Sequence, residues 1–464
     1  MFEAENRLVE QGCCPNAGGD VFGTMSRREF VKTAAVVASG LVAAPAMASL
    51  APTAPVGLPL RFGVNYIPRK NWLFCWDDWD RQAVADDFDA IRSLGMDHLR
   101  VHCMWPLFQP GMNYVSERML DQMGQLMELA DQRDLDVEVT VLDGWMSGDA
   151  YLPAWTLANE SRHRNIFTTP DVIEGEKLLF TKLAGVVGKH RRFMGFDLGN
   201  ELSTLLRTGN PATVEEGTAW LKETFAHVEQ LAPGKFHVNG HDHTVWWTDI
   251  AFTRTVSANT GSATIVHSYP FFSGALARYG YSGIGTLHLV EYNAAFAYAY
   301  QTNLARGVWV EEVGVTAEWM PESYMPEYAQ HVIENAVDTG ILWGITWWCS
   351  HDISPELSGF KSLEYKLGLI DDKNRVKPFG KALADTARQV RGKTFSPTQR
   401  KTALVVPDSG LGKDPDWTYA TAYMNLLKAR KKPCIVIESY SHDEDYLRAR
   451  GITELIPLAD VAKV

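Results

Sequence analysis

The feature that most constrains the fold is a repeated alternation of short apolar segments with amphipathic ones. Segments of this length and apolar content are typical of buried strands. We number them as predicted strands one to eight: Arg61–Ile67, His98–Met104, Asp136–Leu142, Phe193–Gly199, Lys235–Asn239, Thr264–Ser268, Gly307–Val313 and Gly344–Trp348. Helical periodicity separates them at Asp80–Leu94, Ser116–Arg133, Asp171–His190, Val214–Leu231, Ile284–Asn303 and Glu322–Thr339. Asp171 is a predicted N-cap and Gly340 a predicted helix stop.

Eight strands that alternate with helices over about 330 residues predict an α/β fold of the (β/α)8 TIM-barrel type. An open doubly wound sheet is the alternative, and its first turn is typically glycine-rich because it binds a phosphate. Here the first turn is Ile67-Pro68-Arg69-Lys70-Asn71, without glycine. The sequence therefore favours a barrel, which we place at residues 60–392.

Residues 1–48 are predicted to be a leader rather than part of the fold. The sequence Ser26-Arg27-Arg28-Glu29-Phe30 precedes an apolar run from Thr33 to Val42 and a small-residue site at Ala46-Met47-Ala48. This arrangement resembles a twin-arginine signal peptide. The apolar run is shorter than the roughly 20 residues that span a membrane. We therefore expect export and a periplasmic or extracellular location.

The composition changes after residue 392, and residues 397–464 are predicted to form a small βαβαβ module. Predicted strands lie at 402–407, 433–438 and 454–458, and predicted helices at 416–428 and 443–450. A module of about 70 residues is marginal on its own, because a short chain buries too little of its surface. We therefore expect it to pack on the barrel or on another subunit of a homo-oligomer.

Charge and cysteine spacing exclude some functions. The net charge of −12 argues against nucleic-acid binding, which requires a basic face. The cysteines beyond the leader lack the spacing of a metal or redox motif. A disulfide from Cys75 to Cys103 or to Cys349 stays open at this level.

Carboxylates follow two of the predicted strands, at the barrel end where TIM barrels place their active sites. Strand four runs into Asn200-Glu201, and strand seven contains Glu311-Glu312. An ionised carboxylate beside an apolar core costs free energy unless it is paired or used. Strands four and seven face each other across a closed barrel, so Glu201 and Glu312 can share one cleft. Two such carboxylates perform glycoside hydrolysis, with retention at about 5–5.5 Å separation and inversion at about 6.5–9.5 Å.

The choice between Glu311 and Glu312 follows from side-chain alternation along a strand. Only one of the two can face the barrel mouth if the strand is regular. Gly314 keeps the face of Glu312 open, which favours Glu312 as the functional carboxylate. Glu311 is then predicted to point toward the helices and to pair with a basic residue.

Other strand ends carry side chains that can hold a polyhydroxylated ligand. The candidate substrate-binding residues are Arg100, His102, Trp145, Asn200, His241, His267, Tyr269, Trp347 and Trp348. His241-Asp242-His243 can in principle ligate a metal, but a third ligand is not evident, and we favour hydrogen bonds to substrate. Neither a metal nor another cofactor is therefore expected.

The ordered set of strand-end residues resembles glycoside hydrolase clan A, and within it most closely family 5, the cellulase and mannanase group. The resemblance covers residues 60–392 and implies Glu201 as acid/base and Glu312 as nucleophile. It also implies that Asn200 binds the sugar 2-hydroxyl. Arg100 would support the nucleophile and lower its pKa, while Glu201 would need a raised one.

The resemblance further implies that His267 and Tyr269 complete the hydrogen-bond ring. Trp348, with Trp347 as the alternative, would be the sugar platform. Val313 departs from the family, which usually has an aromatic residue there.

These observations predict a secreted, retaining β-glycosidase that acts on a carbohydrate such as β-mannan, β-glucan or a related glycan. The long loop Asp143–Pro170 can wall one end of the cleft, which makes an exo-acting β-galactosidase or β-mannosidase on short oligosaccharides the alternative. A non-catalytic carbohydrate-binding barrel is the alternative from another class. It predicts the loss of one strand-end carboxylate, and both are present.

Overall fold

The computed structural model describes residues 60–159, 162–392, 396–410 and 417–461. The predicted leader lies outside these residues. Seven parallel strands form one curved sheet in the order four, three, two, one, eight, seven, six. In that order their bounds are Phe193–Asp197, Asp136–Asp143, His98–Met104, Arg61–Asn65, Leu342–Trp348, Val308–Gly314 and Thr264–Ser268.

The predicted fifth strand occupies its place in the barrel without becoming a regular strand. Val238 forms an isolated parallel bridge with Asp197. On the other side, the Ser262 N–H donates to the His237 carbonyl at 2.7 Å, near the start of strand six. The His237 ring, rather than a backbone carbonyl, accepts the Phe196 N–H at 3.1 Å, and this interrupts the ladder. These bonds close a (β/α)8 barrel.

Helices surround the sheet at the predicted positions, and one further helix, Pro378–Arg391, was not predicted. The main ones are Arg81–Ser93, Glu117–Arg133, Pro170–Val187, Val214–Leu231, Leu289–Ala299, Met325–Val337 and Pro378–Arg391. The N-cap prediction for Asp171 is wrong, because Thr169 is the N-cap and Pro170, which has no N–H to satisfy, begins the helix. The pattern at Ile284–Asn303 divides into Ile284–Leu287 and Leu289–Ala299. Gly340 has φ +71° and ends its helix as predicted.

Shorter elements lie mainly in the loops at the carboxyl ends of the strands. Two small hairpins follow strand three: Trp145–Met146 pairs with Asp149–Ala150, and Leu157–Asn159 pairs with Arg162–His163. The loop after strand eight contains a short 3₁₀ helix, Ser362–Lys366. Short helices occur at Trp105–Phe108, Leu202–Leu205, Thr244–Trp247, Arg254–Asn259 and Ala275–Tyr279. The first hairpin and the 3₁₀ helix border the active site.

A separate three-stranded parallel sheet follows the barrel. Its central strand is Thr402–Val406, flanked by Pro433–Ile437 and Glu454–Pro457, with helices Thr418–Lys428, Glu444–Ala449 and Leu458–Val461. The Trp417 indole N–H donates to the Ser273 carbonyl at 2.9 Å, and Tyr423 donates to Glu291 at 2.9 Å. The module therefore packs against the barrel helices.

Cys75, Cys103, Cys349 and Cys434 are free thiols, so neither disulfide left open by the sequence is formed. Within the described residues, every helix is too short or too polar to span a membrane.

Candidate active site

Arg100 is the fully buried centre of the site. Its Nη1 donates to Glu312 at 2.5 Å and to Asn65 at 3.1 Å. Its Nε and Nη2 donate to the same oxygen of Asp197 at 3.0 and 2.7 Å, and Nη2 also donates to Asn200 at 2.8 Å. A guanidinium offers five donors in a fixed plane, so one side chain can hold partners from several strands. Arg100 thereby fixes Glu312 and Asn200 relative to each other.

Glu312 has a partner for each carboxylate oxygen. Arg100 bonds Oε1, and the Tyr269 hydroxyl donates to Oε2 at 2.7 Å. Burial raises the pKa of Glu312, whereas the charges of His267 and Arg100 lower it. Burial has the larger effect, so the pKa of Glu312 is raised, and the expectation that Arg100 lowers it overall is wrong.

Glu201 lies opposite Glu312. Its backbone is left-handed, with φ 48° and ψ 39°, directly before the helix Leu202–Leu205. A non-glycine residue in this region stores on the order of 1–3 kcal/mol of strain, which the surrounding structure must offset. One oxygen of Glu201, one of Glu312 and one ring nitrogen of His267 all lie within 4.8 Å of one another. This close approach fits the short carboxyl separation of retaining glycosidases.

Glu311 points into the barrel, contrary to the prediction that it faces the helices. Register shifts on both sides of strand seven interrupt its regular pairing between Val310 and Val313. Such an irregularity breaks the alternation of side chains, so Glu311 and Glu312 both reach inward. Glu311 is fully buried, 3.0 Å from His267 and 3.4 Å from Arg100. Its pairing with a basic group is therefore as predicted, but the direction is not.

His267 lies between the two sides of the site. Its Nδ1 is 2.9 Å from Glu201 and 3.5 Å from Glu312, and its Nε2 is 3.0 Å from Glu311. Burial opposes protonation of the ring. The carboxylates overcome that cost and raise the pKa of His267 to about 10.

A cleft of about 400 Å³ opens above these groups at the carboxyl end of the barrel. A volume of this order suits a small ligand. Six of the predicted site residues line it, namely Trp145, Asn200, Glu201, Tyr269, Glu312 and Trp348. Arg100 and His267 lie directly beneath and act on the cleft through the carboxylates.

Three predicted site residues are buried away from the cleft: His102, His241 and Trp347. The His241 ring packs on Phe252, with centroids 4.5 Å apart, and its Nδ1 is 3.0 Å from the Ser257 hydroxyl. Asp242 and His243 line the cleft instead, because Gly240 turns the chain at φ +59°. His241 therefore lies away from the substrate cleft, contrary to the prediction that it binds substrate.

Trp347 packs toward Phe379 on the helical side, and Trp348 faces the cleft, as the preferred choice of platform requires. His102 lies below Trp348, with ring centroids 5.6 Å apart, and is 3.2 Å from Asp143. It supports the platform without lining the cleft.

Sequence reasoning missed several residues. Asp197 is fully buried beside Arg100, and burial together with Glu311 raises its pKa to about 7 although Arg100 opposes this. An acidic residue inside the apolar strand four was the available signal. Lys361, Glu364, Phe272 and Trp319 also line the cleft, from loops that carry no motif.

The barrel, the cleft at its carboxyl end and two carboxylates at the short spacing together define a retaining glycoside hydrolase. No protein-family model matches the chain, and no curated protein does. Solved structures do match. The chain is 36% identical to GH5_18 from Streptomyces cattleya in complex with GlcNAc, with a TM-score of 0.82 over 89% of this chain and 100% of that one.

Another Streptomyces cattleya GH5_18 structure, in complex with Manβ1-4GlcNAc, is 37% identical, with a TM-score of 0.82 over 87% of this chain and 100% of that one. GH5_18 from Bifidobacterium longum subsp. infantis is 30% identical, with a TM-score of 0.80 over 86% and 96%. The chain therefore belongs to GH5_18, in glycoside hydrolase family 5 of clan A. It is a retaining β-glycosidase that acts on β-linked oligosaccharides.

The exo-β-1,4-mannosidase of Opitutaceae bacterium strain TAV5 is 23% identical, with a TM-score of 0.71 over 82% of this chain and 69% of that one. At this identity it shows a shared fold alone.

Proposed function

We propose that this protein is an exo-acting β-mannosidase that cleaves Manβ1-4GlcNAc into mannose and N-acetylglucosamine. The main support for hydrolysis by two carboxylates is the close approach of Glu201 and Glu312, within 4.8 Å of each other. The choice of sugar is supported by the Streptomyces cattleya relative, which was crystallised with this disaccharide. The exo mode is supported by the shape of the cleft.

The proposed mechanism is a double displacement. Glu312, held by Arg100 and Tyr269, attacks C1 of mannose while the C1–O4 bond breaks. Glu201 gives its proton to the departing O4 of GlcNAc, and a mannosyl ester on Glu312 remains. Glu201 then takes a proton from water, whose oxygen bonds to C1 as the ester bond to Glu312 breaks. Two inversions at C1 leave the released mannose in the β configuration.

The mannose binds beside Trp348, with Asn200 placed at the 2-hydroxyl. Arg100 and the Trp145 carbonyl hold the Asn200 amide, at 2.8 and 2.7 Å. A carboxamide fixed at both ends is pre-organised for its ligand, which reduces the entropy lost on binding. Asn200 therefore contributes an aligned hydrogen bond at the reacting sugar.

One end of the cleft is closed beyond this position. Lys361 forms an ion pair with Asp149 at 2.6 Å and also bonds the Ser147 carbonyl. Glu364, nearly fully buried beside them, belongs to the same wall. The loops after strands three and eight thus meet across the cleft. A wall here stops the glycan after one sugar, which favours removal of a terminal residue.

The opposite end of the cleft is open and differs in chemistry. Phe272 and Trp319 line it, and Phe271 stacks on Trp319 with centroids 5.2 Å apart and planes 4° from parallel. Phe271 and Phe272 are both about half exposed, at 53% and 52%. Exposed aromatic rings beside a cleft suit a sugar ring, which has an apolar face. This end therefore suits the departing GlcNAc.

The test compares wild type with Glu201→Gln and Glu312→Gln on Manβ1-4GlcNAc, with exposed Glu322→Gln as the control. Each site variant should lower kcat by roughly 10²–10⁴-fold or more, because a proton donor or a nucleophile is lost. Glu322→Gln should match wild type. Proton NMR of the wild-type reaction should show β-mannose before its anomers equilibrate.

Three results would reject this function. Initial release of α-mannose would show inversion. Turnover of galactosides or glucosides in preference to mannosides would show that the enzyme is not specific for mannose. Binding without turnover of any β-glycoside would favour the non-catalytic barrel.

We also propose twin-arginine export, supported by the residue pattern of the leader. Arg27→Lys with Arg28→Lys should retain the protein in the cytoplasm, and secretion of that variant in fractionated cells would contradict this. We further propose a homo-oligomer formed through residues 397–464. Sedimentation of the mature chain at a multiple of the monomer mass would support it, and a monomeric mass would reject it.

A further inference from the structure

Glu311 is a buried carboxylate that the mechanism above does not use. It does not line the cleft, and its exposed fraction is 0%. It nevertheless contacts His267 at 3.0 Å and Arg100 at 3.4 Å. Those two residues are the direct partners of Glu201 and Glu312. Glu311 is thus one contact away from both carboxylates that perform the chemistry.

The hydrogen bonds of His267 determine which of its ring nitrogens must carry a proton. Both ring nitrogens face carboxylate oxygens, Nδ1 toward Glu201 at 2.9 Å and Nε2 toward Glu311 at 3.0 Å. An ionised carboxylate only accepts hydrogen bonds, so an ionised Glu311 needs an N–H at Nε2. At Nδ1 there are two ways to form the bond. Either the ring carries a second proton and donates to Glu201, or a protonated Glu201 donates to the ring.

In both arrangements the Glu201–His267 pair carries one proton at the bond between them. We propose that Glu311 is a positioning residue that keeps this proton on the pair, so that Glu201 is supplied with it when a glycoside enters. The proposal rests on the assignment of Glu201 as the acid. The negative charge of Glu311 holds the Nε2–H in place, and it lowers the free energy of the protonated pair relative to the deprotonated one.

The surroundings of His267 are consistent with this role. The charged and titratable groups that act on it are Glu201 after strand four, Glu311 and Glu312 on strand seven, Arg100 beneath them, His102 on strand two, and His241 with Asp242 after strand five. Of these, only Glu311 contacts Nε2, while Glu201 and Glu312 lie on the Nδ1 side. Glu311 therefore acts on the proton from the side away from the substrate.

The irregularity in strand seven makes this arrangement possible. In a regular strand, Glu311 and Glu312 would point to opposite faces. The register shift between Val310 and Glu312 lets both side chains reach the barrel interior. One then serves the cleft directly, and the other contacts the histidine below it.

The experiment measures kcat/KM for Manβ1-4GlcNAc against pH in wild type, Glu311→Gln, Glu311→Asp and Glu138→Gln. Loss of the required proton gives the alkaline limb of the profile. Glu311→Gln removes the charge and keeps the shape, so the pair should lose its proton more readily. We expect the alkaline limb to move to lower pH by about one unit or more, the size of a single-charge effect at this distance.

The other two variants separate charge from packing. Glu311→Asp retains the charge, so its alkaline limb should stay near that of wild type even if kcat falls. Glu138 is another fully buried carboxylate in the barrel. Among the described residues, neither of its oxygens has a hydrogen-bond partner, so it is not bonded to His267 or to a cleft residue. Glu138→Gln should leave the alkaline limb in place.

A leaving-group comparison gives a second readout that a structural role would not move. The dinitrophenolate of a dinitrophenyl β-mannoside leaves as an anion without protonation by Glu201. Glu311→Gln should therefore slow mannosylation of Glu312 by this substrate far less than by the disaccharide. An equal loss on both substrates, or an unmoved alkaline limb in a folded Glu311→Gln protein, would overturn the proposal. Absence of wild-type turnover would instead reject the proposed function, so the two failures are distinguishable.

Discussion

Two buried arginines of this protein show how catalysis and packing differ. Arg100 in the barrel mouth contacts three carboxylates, those of Asp197, Glu311 and Glu312. Arg400, between the barrel and the C-terminal module, contacts Glu291 at 2.6 Å and Asp338 at 3.3 Å. Both guanidinium groups are nearly inaccessible to solvent.

The difference lies in what balances the carboxylates. Around Arg400, each carboxylate has a further partner: His288 is 2.5 Å from Glu291, and Lys432 is 2.8 Å from Asp338. Around Arg100, His267 is a further cation, and it contacts both Glu311 and Glu312.

A surplus of buried negative charge is costly, and burial there raises the pKa of Asp197 and Asp143. At the interface between the barrel and the C-terminal module, Arg400 and Lys432 balance the carboxylates of Glu291 and Asp338 and so hold the two parts together. The barrel mouth keeps a surplus because proton transfer needs carboxylates with perturbed affinities.

Replacing each arginine with methionine should give opposite phenotypes and is the largest expected effect. Arg400→Met should lower the free energy of unfolding by about 3–5 kcal/mol, since buried Glu291 and half-buried Asp338 both lose their arginine partner. The folded fraction should keep the wild-type kcat. Arg100→Met should instead abolish measurable turnover, since Glu312 and Asn200 lose the group that fixes them. Urea unfolding and steady-state kinetics on both variants test the comparison, which fails if Arg400→Met lowers kcat as much as Arg100→Met.

Glu138→Gln tests whether a buried carboxyl group without a role in the chemistry reduces stability. Burial first, and then Asp197 and Glu311, raise the pKa of Glu138 well above its ordinary value. Above pH 4.5 the unfolded chain releases a proton that the folded chain retains, so this group makes the folded state less stable as the pH rises. The variant should therefore gain stability over wild type by up to about 1.4 kcal/mol per pH unit above 4.5.

At pH 4.5 and below, wild type and Glu138→Gln should be equally stable. Chemical denaturation at pH 4.5, 6 and 7.5 measures the difference. A variant that is less stable than wild type at pH 7.5 would show that Glu138 has a stabilising partner, and would weaken the contrast between the two arginine sites.

Phe272→Ala is the smallest expected effect and concerns binding rather than charge. Loss of an exposed ring at the open end of the cleft should lower kcat/KM for Manβ1-4GlcNAc about tenfold, or about 1.4 kcal/mol. β-Mannosyl fluoride, whose leaving group does not reach the ring, should react as with wild type. Tyr114→Ala, an exposed aromatic residue away from the cleft lining, is the control. Equal losses on both substrates would mean that Phe272 acts through Tyr269, its ring neighbour.

Sequence patterns predicted the barrel because strand and helix periodicities are local properties of the chain. They failed at strand five, where the acceptor for the Phe196 N–H is the His237 ring. They also failed at Asp171, because a proline changed which residue caps the helix. The first failure arises from one side-chain hydrogen bond and the second from the position of one proline, and neither follows from periodicity.

The candidate site was predicted to a similar extent. Arg100, Asn200, Tyr269 and the preferred Trp348 lie where the family resemblance expects them, around Glu201 and Glu312. His241 does not, since a turn at Gly240 changes which side chain faces the cleft. Lys361 and Phe272 were not predicted as site residues, because the cleft walls come from loops that meet only in the folded molecule.

The sequence by itself determined the barrel and the presence of a strand-end carboxylate on each side of it. These follow from the order of apolar and polar residues, which sets which strands exist and what stands at their ends. The tertiary structure alone decided the distance between Glu201 and Glu312, and therefore retention. It also decided the direction of Glu311, because a register shift between neighbouring strands, and not the composition of strand seven, determines which face each side chain occupies.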